Sequence, residues 1–132
     1  VVFTGMKAPR HFFTIVKRHG ALLAKGRMLG IQFATLFTDD LYMRVSSHAI
    51  QMAARITGIF RKHGISMAYD SPTNQQFVVL SPERYRALKE KVAFEVWEHQ
   101  DGGNIVCRFV TSWATTDNDL SALDRALEET AQ

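Results

Sequence analysis

Arg108 stands in the middle of "IVCRFVTSW" (residues 105–113), a run otherwise crowded with β-branched and aromatic side chains. Strand alternation puts it on the same face as Val106 and Val110. A guanidinium keeps its charge, so placing one in a buried strand is costly unless an anion meets it. Two anions fit. One is a carboxylate of the same chain, Glu95 or Glu98 on the preceding strand. The other is the carboxylate of a bound substrate, clamped through two parallel hydrogen bonds. Periodicity leaves both open.

A second group of chemistry-bearing residues is cationic. Lys7, Arg10, Lys17, Arg18, Lys25 and Arg27 all fall within residues 1–37, which hold no acid, although the whole chain carries 16 basic and 13 acidic side chains. The net charge of +3 therefore belongs to one segment, which suits a phosphate or another polyanion. A continuous helix would place Arg18 and Lys25 about two turns apart on one face, where they could grip a phosphate. A solvated basic face is the plainer reading of the same residues. Nucleic-acid binding has only the charge in its favour, because no aromatic ladder or recognised motif accompanies it.

Other chemistries find less support. The five histidines have no HExxH or CxxC spacing around them, and His11 and His19 are eight positions apart, so no metal site is expected. Cys107, the single cysteine, lies mid-strand and reads as core. Ser46, Ser47 and His48 are neighbours on one helix, and no GxSxG elbow occurs, so hydrolase chemistry is unsupported.

These residues need elements to hold them. "VVF" reads as a short strand, and Pro9 as the first residue of a helix through "RHFFTIVKRHG". A second helical stretch from Gly20 places Gly26, Gly30 and Ala34 on one stripe, which reads as a tight packing seam. Thr38 is placed to cap a long amphipathic helix, with Asp39 and Asp40 in its first turn. Leu41, Val45, Ala49, Met52, Ile56 and either Ile59 or Phe60 line its apolar face, and Gly64 ends it.

Beyond this helical half the pattern alternates. "QQFVVL" is a strand, Ser81 and Pro82 open a helix to about Lys89, and "AFEVWEH" is a second strand. "DGGN" then turns into the strand of Arg108. Thr116 and Asp119 form a capping box for a last helix with Leu120, Leu123 and Leu127 inward. The sum is α+β: long helices, then a small, mostly antiparallel sheet with helices on one face.

At 132 residues, 46% apolar and 22% charged, the chain has the size and composition of one globular domain. No apolar run is long enough to span a bilayer. The lone cysteine favours a reducing compartment, and a cytoplasmic location is expected. The first residue, Val1, is not methionine, which suggests a piece of something larger.

Three stretches together carry a resemblance. "FFTIVKRHGALLAKGRMLGIQF" (residues 12–33), "SPTNQQF" (71–77) and "RFVTSWATT" (108–116) resemble the carboxyl-terminal part of low-specificity threonine aldolases. These are pyridoxal-phosphate enzymes of the β-eliminating lyase group, with the aspartate-aminotransferase type of fold. The resemblance implies that residues 1–37 are the tail of a large domain with connecting basic helices. Residues 38–132 would be a long interdomain helix and the small domain of a fold-type-I enzyme.

It also implies roles. Arg108 matches the arginine that binds the substrate's α-carboxylate. Arg18, Lys25 and Arg27 match basic residues that contact the cofactor phosphate, often across a subunit interface. Asn74 and Gln75 precede a strand near the site, although Asn74 could equally hold a turn. The implied reaction is retro-aldol cleavage of a β-hydroxy-α-amino acid such as threonine or allo-threonine, with pyridoxal 5'-phosphate as electron sink. The Schiff-base lysine would lie upstream of Val1, leaving no catalytic residue of its own in this chain. The chain alone would then be inactive, and the intact protein a homo-oligomer, dimer or tetramer, with no membrane or nucleic-acid partner. The competing expectation is a stand-alone phosphate- or nucleic-acid-binding domain that uses residues 7–27.

Overall fold

The computed structural model describes residues 7–130. The chain divides into two units, residues 1–41 and 42–132. The first contains α1 (Phe12–Arg18), α2 (Gly26–Phe37) and a 3-10 turn at Thr38–Asp40. The strand expected at "VVF" lies outside the described residues.

Helix ends in this unit differ from expectation in three places. Pro9 does not open α1: the Phe12 N–H donates to the Pro9 carbonyl at 3.1 Å, closing a turn, and His11 precedes the helix with φ 62°. The second helix does not begin at Gly20, which takes φ 65° and turns the chain after α1; α2 starts at Gly26. Thr38 does not cap the third helix. Its hydroxyl donates to the Ala34 carbonyl at 2.6 Å and so completes α2. Asp39 and Asp40 then take φ 50° and 54°, a left-handed backbone that aspartate accepts more readily than most residues. As a result α3 opens at Leu41 with no acid in its first turn.

No residue of α1 or α2 is buried. The stripe of Gly26, Gly30 and Ala34 is open rather than packed, since a Cβ at Gly30 would meet nothing within 4 Å.

The second unit holds the core. α3 (Leu41–Lys62) buries Ala49, Met52, Ala53, Ile56 and Phe60, the face its periodicity dictates. Gly64 at φ 68° ends it: the Ile65 N–H bonds Phe60 O at 2.9 Å and the Gly64 N–H bonds Arg61 O at 3.0 Å. This left-handed stop satisfies the last carbonyls and folds Ile65 back into the core beside Phe60.

β1 (Gln75–Leu80), α4 (Pro82–Lys89), β2 (Glu95–His99), β3 (Ile105–Val110) and α5 (Asp117–Glu129) follow. Ser81 accepts the Arg84 N–H at 3.3 Å, and Thr116 and Asp119 make the reciprocal capping box. The sheet order is β1-β3-β2, antiparallel throughout, so the strand of Arg108 is central. Val78, Leu80, Ile105, Cys107 and Phe109 point to one face, where α3, α4 and α5 cover them. Phe109 packs edge-on to Phe60 and stacks on Phe94, each at 4.8 Å between ring centres. Each such ring taken out of water contributes roughly 1.5–3 kcal/mol. The α+β architecture with one covered sheet face is the one expected.

Candidate functional site

Opposite residues of β3 serve opposite purposes. Cys107 and Phe109 fill the core, and burial pushes the Cys107 thiol up to about 11, which makes it an unreactive packing residue. Val106, Arg108 and Val110 face the other way. There Arg108 is directly opposite Phe77 of β1 and Glu95 of β2.

Three contacts and one unmet donor define its setting. One terminal nitrogen, Nη2, donates to the Glu95 carboxylate. The other, Nη1, donates to Gln75 Oε1 at 3.2 Å. The guanidinium carbon lies 5.3 Å from the centre of the Trp97 ring, a cation–π distance. Nε is buried without an acceptor among the described residues. The side chain is 26% exposed, whereas that of Glu95 is 68% exposed. The cation is thus held in a half-covered slot, and its anion stands at the rim.

The slot has an aromatic wall. Trp97 meets Phe77 edge-on at 5.2 Å, and Phe77 meets Tyr69 edge-on at 5.5 Å. Such pairs are worth about 0.5–1.5 kcal/mol beyond their area. Tyr69 donates its hydroxyl to Glu98 at 3.0 Å, and that bond holds the phenol above its ordinary range. Of the two carboxylates the sequence offered to Arg108, Glu95 takes it and Glu98 is engaged elsewhere. Sequence pattern does not single out Trp97, although it lies two residues after Glu95 on an alternating strand. The irregular pairing between Val96 and Glu98 disturbs that alternation.

The structure brings Gln75 and Arg108 together, and it gives Asn74 a different partner. Asn74 Nδ2 donates to Thr111 O at 2.7 Å and its carbonyl accepts the Thr111 N–H at 3.0 Å. The buried Thr111 hydroxyl donates in turn to Ala49 O at 2.7 Å. This clamp fixes the end of β3 against α3. The buried Gln76 is likewise spent on structure, donating to Ser71 O and Thr73 O at 3.2 and 2.8 Å.

Arg18, Lys25 and Arg27 are exposed in the first unit. Arg18 and Lys25 do not share one helical face as expected: Arg18 ends α1 and Lys25 precedes α2, with a turn between the two helices, and Arg27 lies in the first turn of α2. Arg18 favours the negative end of α1. Lys25 and Arg27 stand instead at the positive end of α2, which has no side-chain cap and no acid in its first turn.

His63, Asp124 and Glu128 place ligand-type atoms within 4.8 Å of one another, a grouping the spacing did not foretell. Lys62 already supplies a cation there, with Nζ 2.8 Å from Asp124 and 3.4 Å from Glu128. His63 Nε2 lies 2.6 Å from Asp124. The group reads as an ion-pair network tying the end of α3 to α5. Among the described residues, no helix is long and apolar enough to cross a membrane.

Comparison with known proteins gives the site a context. No family model and no curated protein matches the chain. Among solved structures, the threonine aldolase of Leishmania major matches with a TM-score of 0.81 and 32% identity, over 93% of this chain and 35% of that one. Serine palmitoyltransferase of Sphingomonas wittichii matches with a TM-score of 0.54 and 13% identity, over 64% of this chain and 23% of that one, a likeness of fold. The resemblance to threonine aldolases is therefore borne out, for a chain that spans about a third of the length of that aldolase.

Proposed function

We propose that this threonine-aldolase-like chain supplies the substrate-carboxylate end of the active site in a pyridoxal-phosphate-dependent aldehyde-lyase. The intact enzyme cleaves β-hydroxy-α-amino acids, threonine or allo-threonine among them, to glycine and an aldehyde. Arg108 carries the reading: a half-covered guanidinium on the central strand which, among the described residues, has a buried donor left over and only an exposed carboxylate as counter-ion. A fork on a rigid strand, braced by Gln75 and Trp97, suits a planar carboxylate.

The residues also fit the cofactor's phosphate. Lys25 and Arg27 crowd the uncapped positive end of α2, an arrangement that favours a dianion over the helix's own groups. They, with Arg18, would hold the phosphate, within a homo-oligomer if the contact crosses subunits. Pyridoxal phosphate, when bound, supplies the electron sink for cleavage of the Cα–Cβ bond. The chain's own part is orientation. By fixing the carboxylate, Arg108 limits rotation about the substrate's Cα and holds the scissile bond in the reactive direction.

On this reading the 132 residues alone lack the lysine and the ring-binding groups of the enzyme and have no lyase activity. A separate nucleic-acid-binding role for residues 7–27 is not needed. Its support is the charge of that segment, with no aromatic ladder or recognised motif beside it.

The test is Arg108→Lys in the full-length enzyme, assayed by aldehyde release from threonine. KM should rise and kcat fall together, with kcat/KM reduced on the order of 100-fold, inside the ~2–5 kcal/mol range for breaking a hydrogen-bonded charge pair. Unchanged KM and kcat would overturn the assignment.

A further inference from the structure

We propose that Glu95 is a built-in competitor for the carboxylate site, a residue that sets how strongly Arg108 receives a ligand. The inference rests on the reading of Arg108 as a carboxylate receptor. Glu95 is directly opposite Arg108 in the register of β2 and β3, and its carboxylate meets Nη2. β2 is an edge strand, and the Glu95 side chain is 68% exposed, so it can swing into water without disturbing the core. Glu98, the other acid of the strand, is opposite Val106 instead and accepts the Tyr69 hydroxyl.

The pair leaves one buried donor of the guanidinium unmet among the described residues. Gln75 holds Nη1 at 3.2 Å and Glu95 uses Nη2, while Nε remains without an acceptor among the described residues. A carboxylate that engaged Nη2 and Nε side by side would satisfy one donor more than Glu95 does. Glu95 thus keeps the cation paired when no ligand is bound and yields to a ligand that binds through two oxygens. A competitor of this kind lowers apparent affinity by the fraction of time it occupies the site. An exposed ion pair is weak, so the penalty is roughly two- to fivefold.

The test uses the 132-residue chain and the Nε–H resonance of Arg108, identified by its loss in Arg108→Gln. Sodium acetate is the probe, titrated at constant ionic strength against sodium chloride. Acetate should shift the resonance in the native chain, and in Glu95→Gln the half-saturation concentration should fall two- to fivefold. Glu95→Ala should behave alike, and Glu98→Gln should leave the value unchanged. Unchanged spectra elsewhere establish that the variants are folded. If acetate shifts the resonance equally in native and Glu95 variants, or more weakly in the variants, the competitor role is overturned while the carboxylate reading stands. If acetate shifts it in neither, the carboxylate reading fails and this inference with it.

Discussion

Glu95 and Arg108 are directly opposed across β2 and β3, and their carboxylate and guanidinium meet on the sheet face that the helices leave uncovered. The relationship answers the question of which anion the sequence placed beside Arg108. On the proposed reading the two anions follow one another at Arg108, the exposed Glu95 carboxylate being the one that a ligand would displace.

Trp97 braces the guanidinium from one side at 5.3 Å. Replacing it with alanine removes a cation–π contact worth about 0.5–1 kcal/mol at a partly exposed site. The expected outcome is a two- to fivefold loss of acetate affinity at Arg108 with little change in fold, read from the Arg108 Nε–H resonance. Trp97→Phe should recover most of it.

The capping box of α5 is a stability element remote from Arg108. Thr116→Ala deprives the Asp119 N–H of its 3.3 Å acceptor and the Asp119 carboxylate of one of its two donors, the backbone N–H at 116 remaining. Urea unfolding should show a loss of about 1 kcal/mol through a lower midpoint at constant slope.

Cys107 is buried, and its thiol is pushed up to about 11 by that burial. Thiolate is the reactive form, so alkylation by iodoacetamide at pH 8 should be slow in the folded chain and fast in urea. Equal rates in both states would place Cys107 outside the core.

Acid should weaken the tie between α3 and α5. Hydrogen bonds from Lys62 and then His63 hold the Asp124 carboxyl below its ordinary 3.8. A carboxyl depressed in the folded state stabilises at pH above its unfolded value, and that contribution disappears as pH falls through the folded value. Asp124→Asn should therefore lose stability at neutral pH. As pH falls through the folded value, its melting temperature should converge with that of the native chain.

How much of this was legible in the sequence depends on what each residue touches. α3, β1, β3 and α5 were readable because each buries a face, and burial imposes the period that the residues display. Gly64 and the Thr116–Asp119 pair were readable because their geometry is local. The ends of α1 and α2 were not. Those helices bury nothing, so Pro9, Gly20 and Thr38 were decided by short turns that no hydrophobic pattern announces. The shared face assigned to Arg18 and Lys25 failed for the same reason. At the candidate site, alternation identified Arg108 and narrowed its acid to two, but selecting Glu95 over Glu98 required the strand register. The position of Gln75 is legible in the sequence, but its bond to Arg108 is a tertiary fact that spacing does not contain.

The most direct test of the central claim compares two substrates in the full-length enzyme, L-threonine and L-threonine amide, which lacks the carboxylate charge. If Arg108 receives that carboxylate, the native enzyme prefers threonine by at least tenfold in kcat/KM, and Arg108→Gln brings the ratio to within a few-fold of one. A ratio that Arg108→Gln leaves unchanged would contradict the account.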